Sequence, residues 1–117
     1  MNRQEKRITK MVFKNLDNIF KSSKVIAKDW GTTTIPLSTL KIIIDKSKPS
    51  DKTGNEIVDS FNKQFCKTLD SLYTGCKEVS KKMNSKNISL SSLEFGINVI
   101  KTAFKDGRKI STSKAIG

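Results

Sequence analysis

The sequence predicts an all-α chain: a short helix, a long helix and a short helix in succession behind a basic N-terminal stretch. Apolar residues recur at steps of three and four through most of the chain, residues 54–104 contain no proline, and two Ser/Thr-x-x-Glu spacings fall just ahead of apolar stripes. Together these make helix the dominant element.

The elements follow in chain order. Residues 1–30 carry eight basic and three acidic side chains, net +5. Ile8, Met11, Val12, Leu16, Ile19 and Phe20 recur there at helical spacing among Arg3, Lys6, Arg7, Lys10 and Lys14. The stretch 1–34 therefore reads as a basic, partly helical extension. Its uses are to lie on DNA, to pack on the helical core, or to rest on a membrane surface with Phe13 and Phe20 near its apolar face. The first two are preferred, because a membrane role leaves the rest of the apolar pattern without a purpose. Trp30, ahead of Gly31-Thr32-Thr33-Thr34, is the sole tryptophan. It is expected to anchor packing, since single-strand binders stack bases on several aromatics.

Pro36 opens a helix of about three turns through Leu37, Leu40, Ile43 and Ile44, its missing N–H costing nothing at a helix start. Gly54 to Met83 holds the strongest signal: Ile57, Phe61, Phe65, Leu69, Leu72, Cys76, Val79 and Met83 form one stripe. Thirty helical residues would span about 45 Å. Thr53 with Glu56 has capping-box spacing, as do Ser91 and Glu94 ahead of a third stripe, Leu93, Ile97, Ile100 and Phe104. The segment 105–117 reads as a short C-terminal helix or tail. No internal repeat and no low-complexity tract is evident. Two short helices reach only part of a 45 Å stripe, so a second chain is expected to cover the remainder, with a monomeric bundle as the alternative.

Composition narrows the function. In 117 residues, 23 Lys plus Arg stand against 11 Asp plus Glu, a net charge of +12 that asks for a polyanionic partner. Histidine is absent, which removes Ser/His and Cys/His nucleophile pairs and the commonest zinc sites. Asp59, Asp70 and Glu78 lie on one helix without a paired constellation, so no catalysis, metal or cofactor is expected. Cys66 and Cys76, ten residues or about 15 Å apart on a helix, lie beyond disulfide reach and read as reduced, buried residues of an intracellular protein. With Tyr73 and Met83 they are taken as core or partner-facing. The charged start MNRQEKRITK and the lack of a long apolar run speak against a signal peptide or a membrane span.

Several stretches carry a family resemblance. Ile57-Val58-Asp59-Ser60-Phe61, continued by Phe65 and Leu69, is similar to the start of the long helix of 2B-type core histones. Ile88-Ser89 resembles the short bridge before that family's third helix, and Leu93 to Ile100 the helix itself. Ile110-Ser111-Thr112-Ser113-Lys114-Ala115-Ile116 resembles the family's closing helix, and Lys48-Pro49 the His-Pro that ends its first. The resemblance covers residues 35–117 and implies a histone fold over 35–104. Four departures accompany it. The loop after Pro49 is about three residues short, so register at 46–56 is loose. Ser85-Lys86-Asn87 stands where the family has Arg-Ser-Thr, leaving Lys86 as nearest substitute for a groove-entering arginine. The closing segment has only Asp106 as an acid, which weakens an acidic docking patch. Residues 1–30 are not a plain lysine-rich tail.

The resemblance implies a DNA-packaging protein in chromatin of a nucleus, or in a virion or infected cell. It would pair obligately with a 2A-type histone and, with type 3 and type 4 histones, wrap duplex DNA as a nucleosome core without reading sequence. Such pairs hold phosphates at loop ends and helix N-termini. In the antiparallel handshake, Lys46, Lys48, Lys52 and Thr53 would form one DNA-facing edge beside the partner's second loop, and Ser85, Lys86, Asn87 and Ser89 the other. Arg3, Lys6, Arg7 and Lys10 would add contacts from the extension. The partner interface would comprise Ile57, Phe61, Phe65, Leu69, Leu72, Cys76, Val79, Met83, Leu93, Ile97 and Ile100. Lys81 and Lys82, on the long helix, are read as a solvated face. The alternatives are a histone-fold subunit of a transcription-factor assembly and a basic scaffold protein that oligomerises through the long helix.

Overall fold

The computed structural model describes residues 3–105, with side chains from Arg7 to Phe104. Beyond Lys105 the expected C-terminal helix lies outside the described residues, as do the side chains of Arg3 and Lys6. The chain is all-α apart from two three-residue strands: α1 Arg3–Asp29, β1 Thr34–Pro36, α2 Leu37–Ser47, α3 Glu56–Lys82, β2 Asn87–Ser89 and α4 Leu90–Lys105. The short, long, short succession is present as α2, α3 and α4. What precedes it is a helix packed on the core, one of the uses expected for this stretch, and α1 matches α3 in length, at 27 residues each.

The chain is an internal repeat. A shift of 53 residues carries α1 onto α3, β1 onto β2 and the start of α2 onto the start of α4. The strands pair antiparallel with Thr34 opposite Ser89, Ile35 opposite Ile88 and Pro36 opposite Asn87, so a local twofold passes through the Ile35–Ile88 pair. Burial obeys the same shift: Val12, Leu16, Ile19, Ser23, Ala27, Ile35, Leu40 and Ile44 are enclosed, and so are Phe65, Leu69, Leu72, Cys76, Ser80, Ile88, Leu93 and Ile97. The reading that saw no repeat is therefore corrected. Between 8–47 and 61–100 only eleven positions are identical, and most of them hold Leu, Ile or Lys, residues any amphipathic helix of this composition uses.

Each long helix packs against both short ones, and α1 against α4 is the broadest of these contacts. The expectation of an uncovered stripe on α3 fails for this reason. Phe65, Leu69, Leu72, Cys76, Leu93 and Ile97 are buried by the chain's own elements. Phe61 and Ile100 are partly buried against the same core. At the N-terminal end of α3 the ring of Phe104 stands edge-on to Phe61 and Phe65, at centroid distances of 6.2 and 6.1 Å. Of the stripe, only Ile57, Val79 and Met83 remain exposed. Trp30, expected as an anchor, is 56% exposed, because α1 ends there and turns away from the core.

Two caps differ from the expected boxes. Asn55, not Thr53, caps α3, accepting from the N–H groups of Ile57 and Val58. Thr53 instead donates its hydroxyl to Asp59 at 2.6 Å. Ser89, not Ser91, caps α4, its Oγ accepting from the Ser92 N–H at 3.2 Å. Among the described residues, no helix is long and apolar enough to cross a membrane. Both cysteines are free thiols; Cys66 is half-buried, and Cys76 is buried and pushed up to about 11 by desolvation.

Candidate nucleic-acid interface

The two strands are reached through twin turns. α1 ends in a Schellman motif: Gly31, at φ +68°, donates to the Lys28 carbonyl at 3.0 Å, and the Thr32 N–H donates to that of Ala27 at 2.8 Å. α3 ends the same way, with Asn84 at φ +58° donating to Lys81 at 3.0 Å and Ser85 to Ser80 at 2.9 Å. Glycine or asparagine is what a left-handed cap accepts at low steric cost. The next residue in each turn holds the strand start: Thr34 N–H donates to Thr32 Oγ1, and Asn87 N–H to Ser85 Oγ, both at 3.0 Å. Across the ribbon, the Leu37 N–H donates to the Lys86 carbonyl and the Leu90 N–H to that of Thr33. Each turn is thereby fastened to the first residue of the other half's short helix.

At the second turn this fastening builds a basic groove of about 720 Å³, lined by Pro36, Leu37, Ser38, Lys77, Lys81, Asn84, Ser85, Lys86 and Asn87. Lys77, Lys81 and Lys86 are exposed, and no carboxylate lines the groove. Lys77 and Lys81 stand one helical turn apart on the last turns of α3, facing the turn that carries Lys86. The first turn of α2, which no side chain caps, opens onto the same space with its positive end. Three ammonium groups, the N–H groups of α2 that follow Leu37, whose own N–H is held by the Lys86 carbonyl, and the Ser38 and Ser85 hydroxyls can together hold phosphate oxygens and offer no means of telling one base from another.

Of the residues expected at DNA, Ser85, Lys86 and Asn87 line this groove. Ser89 lies at the far end of the ribbon, opposite Thr34, and is occupied as a cap. The first-loop edge lies elsewhere, because 27 residues of α3, about 40 Å, separate Thr53 from Asn84. Within it, Lys48 is committed to structure: its ammonium meets Asp45 at 3.3 Å and Asp70 at 2.6 Å. The hydrogen bond that the Lys48 ammonium donates to Asp70 is the chief cause that raises the Lys48 pKa. Lys48 thus fastens the end of α2 to α3 and is not offered to a phosphate. Thr53 is spent on Asp59, while Lys46 and Lys52 are exposed on the loop side. Arg7 and Lys10 lie exposed on α1. Sequence reasoning misses Lys77 and places Lys81 on a solvated face. The signal that finds them is their recurrence, since Lys24 and Lys28 hold the equivalent places on α1.

No protein-family model, curated protein or solved structure matches the chain.

Proposed function

We propose that this protein binds duplex DNA through the phosphate backbone, without sequence preference, and acts in DNA packaging. The observation that carries the reading is the groove in which Lys77, Lys81 and Lys86 converge on the first turn of α2, which no side chain caps. The charge of +12 and the lack of histidine favour a polyanion binder over an enzyme. A histone-like kinship, carried by the resemblance of residues 57–61, 88–89 and 93–100, is part of the proposal, although the ribbon here joins two equivalent turns where the family's handshake sets a first loop beside a second. The test is duplex binding across a salt series. Three lysines at about 0.9 each predict that log affinity falls against log salt with a slope of about −2.7 or steeper. Replacing all three by Gln should flatten the slope by that amount at an unchanged fold. Binding that ignores salt, or a slope untouched by the triple variant, overturns the reading.

The second reading is a 2B-type histone that pairs with a 2A-type chain and, with type 3 and type 4 histones, wraps DNA. The resemblance of residues 57–61, 88–89 and 93–100 favours it. Pairing along the α3 stripe requires α2 and α4 to leave that stripe, since they bury it within the chain. Refolding with a 2A-type histone tests this: a one-to-one dimer in which the amides of α1 lose hydrogen-exchange protection supports it, and an unchanged monomer excludes it.

A further inference from the structure

The groove belongs to one half of a twofold chain, and the other half repeats its two helix lysines and its turn, though not Lys86 or the open helix start, since Ser89 caps α4. Lys24 and Lys28 stand on α1 where Lys77 and Lys81 stand on α3, and both pairs are exposed. Each pair precedes the same Schellman turn, with the same hydroxyl-bound strand start. Residues 8–47 hold seven lysines and 61–100 hold six, all of them among the twenty shifted pairs that are exposed in both halves, where about two would coincide; four pairs do: Lys10 with Lys63, Lys14 with Lys67, Lys24 with Lys77, and Lys28 with Lys81. The one other identity on the exposed faces of the long helices, Asp17 with Asp70, has a structural use in the ion pairs to Lys101 and Lys48. A face retained for solubility alone needs lysine somewhere, not lysine at equivalent places.

The twofold also fixes where the two clusters point. It passes through the Ile35–Ile88 pair, whose side chains are buried, so the axis runs outward through the ribbon. Clusters related by such an axis lie at equal height along it, on opposite sides of the ribbon. They flank a ribbon of three residue pairs, about 10 Å long. A duplex has its own twofold and carries two backbone strands on either side of each groove, the major groove being about 12 Å wide.

We propose that one chain straddles a single duplex, the internal twofold lying on a twofold of the DNA, with Lys24 and Lys28 on one phosphate strand and Lys77, Lys81 and Lys86 on the other. The inference rests on the duplex reading above and adds a second, unequal contact: Thr33 stands where the second half has Lys86, so the first cluster holds two lysines against three.

The experiment uses the full chain, a duplex of about two helical turns and one strand of the same sequence. Trp30, exposed between Lys28 and Gly31, reports occupancy of the first cluster by its fluorescence. At about 0.9 per lysine, Lys24→Gln with Lys28→Gln should flatten the salt slope on the duplex by about 1.8, and Lys77→Gln, Lys81→Gln and Lys86→Gln by about 2.7. On the single strand, which presents one backbone at a time, the first pair of substitutions should change the slope by less than half as much. A duplex slope that ignores Lys24 and Lys28 but responds to the second cluster overturns the straddle and leaves the proposed function standing. Indifference to both sets overturns both. Energy transfer between two differently labelled duplexes at one chain per pair also overturns the straddle, because the clusters would then serve separate duplexes.

Discussion

Asp59 sits in the first turns of α3, yet its carboxylate reaches back over the loop, accepting from the Thr53 N–H at 2.7 Å, the Thr53 hydroxyl at 2.6 Å and the Gly54 N–H at 3.3 Å. These bonds need the charged form, and the Thr53 hydroxyl chiefly holds its pKa below the usual aspartate value. A carboxylate with a lowered folded pKa stabilises the fold above its unfolded pKa, and this is lost as pH falls through the folded one. The Thr53 and Gly54 amide resonances should therefore titrate together, with a midpoint below that of the same segment in an unfolded peptide. Asp59→Asn should remove the transition; an unshifted midpoint would show that the bonds are not made in solution. Two glycines make a second contrast at this scale. Gly75 and Gly96 line an apolar groove of about 300 Å³ between α3 and α4, where the other half places Ser22 and Ile43. A Cβ at Gly75 meets nothing within 4 Å, so Gly75→Ala should gain the helix-propensity difference of about 0.5–1 kcal/mol. A Cβ at Gly96 stands 3.0 Å from Leu72 Cδ1. That methyl borders the groove and has room to yield, so the same gain should be offset to within about 0.5 kcal/mol of the parent. Urea midpoints at constant m separate the two cases.

The two halves are tied to each other by elements that the repeat places in register. Lys48, just past α2, pairs with Asp70 of α3, and Lys101 of α4 pairs with Asp17 of α1; a shift of 53 residues interchanges the two bridges. Their carboxylates are more than half exposed, so each bridge is worth at most about 1 kcal/mol. Asp17→Asn and Asp70→Asn should each cost about 0.5 kcal/mol, and the double variant their sum, because the two sites share no partner. A cost in the double variant well beyond the sum would mean that the bridges act as one network, which this placement does not allow. The elements themselves were legible in the sequence: α2 and α3 begin and end within a few residues of where the apolar steps and Pro36 put them, because each stripe is long enough to fix its own period. Pairing was not legible. The likeness to a 2B-type histone starts at residue 35 and so frames the chain as short, long, short, which cuts across a unit of long helix, strand and short helix. Lys48 read as a DNA contact for the same reason: its neighbour Pro49 was visible in the sequence, whereas Asp70, its partner in the fold, lies far along the chain.

For the whole molecule, the repeat changes what the net charge of +12 has to act against. A dimer of two such chains would bring a net charge of +24 together before any DNA arrived, whereas a single chain that supplies both halves confines the repulsion to one molecule. Each half also needs the other. The inner faces of α1 and α2 carry Val12, Leu16, Ile19, Leu40 and Ile44, all buried in the intact chain, where α1 packs on α4 and α2 on α3. Burying a side chain of this kind stabilises by about 1.5–3 kcal/mol, and a half that exposes several of them has too small a core to fold alone. The full chain should thus unfold in one transition whose midpoint does not move with protein concentration. Cutting in the loop before Thr53 makes the dependence visible. Residues 1–52 and 53–117 should each be weakly helical when dilute, and should gain helix as concentration rises, because the antiparallel ribbon and the Ile35 or Ile88 contact are compatible with a second copy of the same half. Mixed, they should form a one-to-one complex more stable than either self-pair, since only the mixture sets α4 and Phe104 against α1 and α3 together. Circular dichroism over a dilution series, with native mass spectrometry of the mixture, reads all three species. A half that is fully helical as a dilute monomer would show that the two units fold independently and that the shared core described for the intact chain is dispensable.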